Sequence, residues 1–72
     1  MRLRHVEDLG AAIRAERKAQ RLTQARLAAL AGVSPRFLIE LEHGRPTVGL
    51  ALTLRVLSTL GLDLQLTKRS GA

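Results

Sequence analysis

The stretch Leu22-Thr23-Gln24-Ala25-Arg26-Leu27-Ala28-Ala29-Leu30-Ala31-Gly32-Val33-Ser34-Pro35-Arg36-Phe37-Leu38-Ile39-Glu40-Leu41-Glu42-His43-Gly44 reads as two short helices and the turn between them. Thr23 is a good N-cap, and the helix it opens runs to about Ala31 with Leu27 and Leu30 on its inner side. Gly32 follows as a residue able to take positive φ, Val33 can plug the core, and Ser34-Pro35 supplies a second N-cap and a proline at the first helical position. The second helix starts there and ends at His43-Gly44. Ala28 is small where the two helices would cross, and Val33, Leu38 and Leu41 are spaced to seal the pair.

Outward from this pair, residues 6–20 have helical periodicity, with Val6, Leu9 and Ile13 on one stripe and Ala11, Ala12, Ala15 and Ala19 favouring helix. Arg21-Leu22 breaks the pattern. Arg45-Pro46 is a second break, after which Thr47 is expected to cap a fourth helix that runs through about Leu60 and stops at Gly61. On that helix Leu50, Leu52, Leu54, Val56, Leu57 and Leu60 sweep an arc of roughly 200°, wider than one core contact requires. One part of the arc is therefore expected to face a partner. Leu62-Asp63-Leu64-Gln65-Leu66-Thr67 alternates apolar and polar with period two and reads as a strand. A lone strand has no mate in its own chain, so a second subunit is its natural partner, through Leu62, Leu64 and Leu66. The resulting plan is a tail over 1–5, a helical domain over 6–61, a dimerisation strand over 62–67 and a second tail over 68–72.

A chain of 72 residues permits one small domain, and such cores are marginal without a staple or a partner. Cysteine is absent, which excludes disulfides and Cys-rich metal sites, and His5 and His43 have no acidic neighbours at ligand spacing, so no metal and no cofactor is expected. The longest charge-free stretches, 27–35 and 46–54, fall short of the roughly 20 apolar residues of a membrane span. Residues 1–8 contain no apolar run of the kind a signal peptide needs, and a cytoplasmic protein without a membrane partner is expected. A net charge of +6 biases the partner toward polyanions. A single aromatic, Phe37, argues against single strands, whose bases stack on aromatic platforms, and leaves duplex DNA as the better candidate.

Two short helices joined by a Gly-containing turn, the second opening Ser-Pro, form a helix-turn-helix. The alternative is an αα-hairpin used only for packing. With Leu38, Leu41 and Glu42 on the inner stripe of the second helix, the outer stripe is Arg36, Ile39, Glu40 and His43, and this stripe would enter the major groove. Arg36 can bond bidentately to guanine O6 and N7, Ile39 can cover a thymine methyl, and Glu40 can accept from cytosine N4. Ser34 and Pro35 lie where recognition helices touch base edges. The competing interpretation of Arg36 and Glu40 is a solvated face without a role. Phosphate positioning needs donors at helix starts, which points to Thr23, Gln24 and Arg45, while Arg21 and Arg26 add charge without specificity. Arg17 falls on the apolar stripe of the first helix and Glu42 on that of the third; neither charge is tolerable there unpaired, so an Arg17–Glu42 ion pair is expected, with a structural role.

At Leu22-Thr23-Gln24, Leu27-Ala28, Gly32-Val33-Ser34 and Leu38-x-x-Leu41-Glu42-x-Gly44 the chain closely resembles the Cro and phage-repressor, or XRE, family of helix-turn-helix proteins, over about residues 9 to 60. The resemblance implies an all-α, repressor-like domain of four to five helices, phosphate contact from Gln24, base contacts from Ser34, Pro35, Arg36 and Glu40, and the Arg17–Glu42 bridge. Ile39 departs from the family pattern, where a small polar residue is common. Residues 33–47, with Leu54-Arg55-Val56-Leu57 and Gly61-Leu62-Asp63-Leu64, look more narrowly like HipB-type antitoxins. That resemblance implies a homodimer joined through its C-terminal strand, a palindromic operator, repression of its own operon and a HipA-type serine/threonine kinase toxin as partner. The rival readings are a free-standing phage-type or restriction-control regulator, and an interaction module that mainly silences a partner enzyme. Catalysis is a poor fit: Ser34, Ser58 and Ser70 have no His and acid in register, and no Gly-rich phosphate loop exists.

Overall fold

The computed structural model describes residues 3–45 and 49–69. Among them run four α-helices: α1 (Val6–Ala19), α2 (Gln24–Ala31), α3 (Pro35–Glu42) and α4 (Leu50–Leu60). Each boundary has a local cause. At the start of α1, Asp8 Oδ2 accepts the backbone N–H groups of Arg4 and His5, both at 3.0 Å. First the Arg4 bond and then the His5 bond hold the Asp8 carboxyl below its ordinary 3.8. The stability this lends is present above the carboxylate range and is lost as the pH falls through the lowered value. Thr23 Oγ1 caps α2 by accepting the Arg26 N–H, and Ser34 Oγ caps α3 by accepting that of Phe37, each at 3.0 Å. Gly32 ends α2 in the left-handed region at φ 71°.

The core is one cluster drawn from all four helices, with Ile13, Leu27, Ala28, Leu38, Leu41 and Val56 almost wholly enclosed and Leu9, Val33 and Phe37 packed against it. α3 lies between α1 and α2, and α4 closes the other side of both. Where α1 meets the end of α3 there is no room for a side chain. A Cβ on Gly10 would lie 2.5 Å from the Leu41 carbonyl oxygen and 2.8 Å from that of Glu42, and one on Gly44 would lie 2.7 Å from Glu7 Cα. The two glycines therefore bring backbone against backbone.

Several expectations need correction. Ala31, not Leu30, takes the second inner position of α2; Leu30 is 51% exposed, because α2 is only eight residues long and its inner face is narrow. Val6 is also exposed, in the first turn of α1, where only its neighbour Leu9 further along reaches the core. α4 begins at Leu50 behind Gly49, and the proposed cap Thr47 lies outside the described residues. Of its wide apolar arc, Val56, Leu57 and Leu60 face the core, whereas Leu50 and Leu54 do not.

The strand expected over 62–67 is not formed among the described residues, which carry no regular structure from 62 to 69. A strand needs a mate, and the single chain offers none. Leu62 is instead bound to the end of α4. Its N–H donates to the Leu57 carbonyl at 2.9 Å, beside the Gly61 N–H on Ser58 O at 3.0 Å, and its side chain packs on the core. This is the Schellman closure of α4 around Gly61 at φ 77°. Leu64 and Leu66 are left exposed, Leu66 at 95%.

Candidate nucleic-acid interface

α3 is held from behind by the buried Leu38, Leu41 and Glu42, so its other face turns outward by geometry. That face carries Ser34 at the cap, Pro35 and Arg36 in the first turn, and Ile39, Glu40 and His43 further on. The Arg36 side chain is 86% exposed, with Nε 3.3 Å from Glu40 Oε1 one turn along. So loose a surface pair contributes little to stability and leaves the guanidinium free to exchange partners. Ile39 is 39% exposed, and Glu40 is half-buried.

The orientation of α3 is set by a buried polar cluster. Arg17 Nε donates to Glu42 Oε2 at 2.7 Å, Arg17 Nη2 to Glu42 Oε1 at 3.2 Å, and Arg17 Nη1 to the Leu22 carbonyl at 2.8 Å. One guanidinium thus joins α1, the turn before α2, and α3. Gln24 Nε2 adds a bond to Glu42 Oε1 at 3.1 Å. A carboxylate accepts only, so this contact fixes which way the Gln24 amide points and leaves its second N–H free. Spacing along the chain gave no hint of it, because the link between Gln24 and Glu42 exists only once α2 and α3 have packed.

Arg45 is not where the sequence suggested. It follows α3 directly, its N–H donating to the Glu40 carbonyl at 3.1 Å, and it stands five residues before α4 rather than at its start. Thr23 is exposed beside the start of α2. Sequence reasoning also missed Arg14, which lines a cleft with Arg17, Gln24, Glu42 and His43. Its position on the outer side of α1 gave no signal. Among the described residues there is no group of His, Cys, Asp and Glu fit to hold a metal ion, and no helix long and apolar enough to cross a membrane.

This arrangement, a capped helix held from behind and open along its outer face, is that of a helix-turn-helix DNA-binding domain. Residues 13–66 match the helix-turn-helix family, and the chain belongs to it, in the XRE-type branch; it is a DNA-binding transcriptional regulator. An uncharacterized HTH-type transcriptional regulator, y4mF, from Sinorhizobium fredii (strain NBRC 101917 / NGR234) is 43% identical over 65 residues, covering 90% of this chain and 86% of that protein. Among solved structures, HipB in a HipA-HipB-O2-O3 complex is similar at a TM-score of 0.86 and 20% identity, with 94% of this chain and 96% of that one covered. HipB in a HipB-O4 20mer complex is similar to the same degree. The clp gene regulator ClgR from Corynebacterium glutamicum is similar at a TM-score of 0.72 and 39% identity, covering 86% of this chain and 80% of that one.

Proposed function

We propose that the protein is a dimeric, sequence-specific repressor that reads a palindromic operator with α3 and serves as the antitoxin of a HipA-type kinase, repressing its own operon. The observation that carries the DNA reading is the row Ser34, Pro35, Arg36, Ile39 and Glu40, presented outward by a helix whose back is locked in the core of a chain of charge +6. Arg36 reads a guanine, Ile39 meets a thymine methyl, and Glu40, only loosely paired with Arg36, accepts from a cytosine N4. Thr23, Gln24 and Arg45 serve phosphates. The antitoxin role is supported by the likeness in fold to HipB, which has been solved in a HipA-HipB-O2-O3 complex. The relation to ClgR favours a second reading, a regulator of other genes without a toxin.

Arg36→Ala is expected to cost about 1–3 kcal/mol on the specific operator and much less on mixed-sequence duplex. Fluorescence anisotropy with both DNAs at one salt concentration measures it, and equal losses would move Arg36 to the phosphate group. Co-purification of the tagged chain from its native host separates the two roles: a kinase in the eluate supports the antitoxin, and its absence supports the free regulator.

The dimer is the second expectation. Leu50, Leu54, Leu64 and Leu66 are apolar and uncovered in the single chain, and a two-fold axis that pairs the 63–67 segments would cover the latter two. A chain ending at Gly61 should dissociate where the full chain is dimeric, and should bind the palindrome far more weakly. Sedimentation velocity on both decides; a full chain that stays near 8 kDa across micromolar concentrations sinks the dimer.

A further inference from the structure

Beyond α4, exposed leucines and free backbone groups stand next to an open hollow. Leu66 is 95% exposed and Leu64 45%, and neither Asp63 nor Gln65 makes a backbone hydrogen bond among the described residues. The hollow, of about 300 Å³, is bounded by Leu54, Leu57 and Ser58 of α4 and by Leu62 and Leu64 of the segment itself. Alternate side chains of an extended segment share a face. Leu62 packs on the core and Leu64 lines the hollow, so the leucine face is the one turned toward α4.

In an antiparallel pair about a two-fold axis, the place of the axis fixes every opposed pair of residues. An axis between two residues sets each leucine opposite a polar residue or a glycine on one face. An axis at Asp63 opposes two carboxylates and leaves Leu66 without a strand residue across from it. An axis at Gln65 sets Leu62 against Lys68, and one at Leu66 sets Leu64 there. Only an axis at Leu64 matches leucine with leucine throughout, Leu64 with the partner's Leu64 and Leu62 with the partner's Leu66. The backbone agrees. Leu62 N–H is committed to the Leu57 carbonyl at 2.9 Å, so Leu62 fits only a pair that exchanges no ladder bonds. The two kinds of pair alternate, which makes Leu64 against Leu64 another of the same kind. Asp63 and the partner's Gln65 then exchange both bonds, with groups that are free in the single chain.

We propose that two copies of this chain join antiparallel with the two-fold axis at Leu64, and that the hollow beside Leu62 receives the partner's Leu66. The proposal rests on the dimer reading above and gives that dimer a register and a socket. The partner's Leu66 lies opposite Leu62 on the same face, which is the side of α4, and so meets the hollow that Leu62 and Leu54 flank.

The chain has no cysteine, so each thiol introduced reports one contact. Opposed residues have Cα atoms about 4.5–5.5 Å apart, within reach of a disulfide; moving the axis by one residue parts a residue from its own copy by about 8 Å, beyond that reach. In an oxidised-glutathione buffer at micromolar concentration, Leu64→Cys alone should run on a non-reducing gel mainly as a covalent dimer. Asp63→Cys and Gln65→Cys should each stay monomeric on that gel, and the two refolded together should cross-link on the face away from the leucines. Leu66→Ala should shift sedimentation toward the monomer and keep the helical circular dichroism, since Leu66 touches almost nothing in its own chain. No cross-link through Leu64→Cys, or one through Asp63→Cys or Gln65→Cys alone, in a chain that sediments as a dimer, overturns the register and leaves the dimer standing. Leu66→Ala that dimerises as wild type does overturns the socket. A wild-type chain that sediments as a monomer across the micromolar range overturns the dimer reading, and the register with it.

Discussion

Glu42→Ala is expected to lower the unfolding free energy by about 3–5 kcal/mol. The side chains of Arg17 and Glu42 are 10% and 3% exposed, and three donors converge on the one carboxylate. Removing it strands a desolvated guanidinium, which keeps only the Leu22 carbonyl as acceptor, and also a half-buried amide. A domain of this length has a total stability on the order of 4–11 kcal/mol, so the loss removes between about a quarter and the whole of it. For that reason the informative experiment is a cycle of urea melts on Arg17→Met, Glu42→Leu and the double variant. The double variant replaces the pair by apolar groups of similar length and should recover much of what either single change loses. Simple additivity would mean that the two residues do not interact.

Gly44→Ala should destabilise by about 2–5 kcal/mol, the sum of about 1–2 for a left-handed alanine and about 1–3 for the forced contact. The position has φ 73°, and the new Cβ would lie 2.7 Å from Glu7 Cα, a backbone atom that can retreat only if α1 moves. Gly61→Ala is the matched control. Its φ is 77° but nothing lies within 4 Å of the new Cβ, so it should lose only the conformational part. Equal losses in thermal melts of the two variants would show that the contact between Glu7 and Gly44 is not felt.

Local chemistry was legible wherever a single residue decides a boundary. Thr23, Gly32, Ser34 and Gly61 announce their caps because hydroxyls and glycines do at helix ends what few other residues can. Arg17 and Glu42 were legible as well, since a charge on an apolar stripe needs a partner, and the wheel offered one of each sign. What stayed hidden depends on how the helices meet. Gly10 reads as a weak helix former and gives no sign that two carbonyl oxygens will press against it. The alternation in 62–67 is real, but the first of its leucines is taken by the closure of α4, a choice made by the glycine before it. The break at 45–46 looks like the edge of the next helix, but α4 starts only at Leu50 behind Gly49, and Arg45 is tied to the end of α3. Gln24, Arg14 and His43 share a cleft only because three helices converge there.

The glycine contacts between α1 and α3 bear on how such a protein can change its target. Side chains that cushion a helix crossing let its angle drift when any of them is replaced. Here main chain rests on main chain at Gly10 and Gly44, and the pitch of α3 is insulated from substitutions elsewhere on its surface. If α3 reads the operator as proposed, its outward residues Arg36, Ile39 and Glu40 can be exchanged as a set, while Ser34 stays tied to its capping bond on Phe37 N–H. On that reading a new operator preference becomes a matter of rewriting a few letters on a scaffold inherited intact.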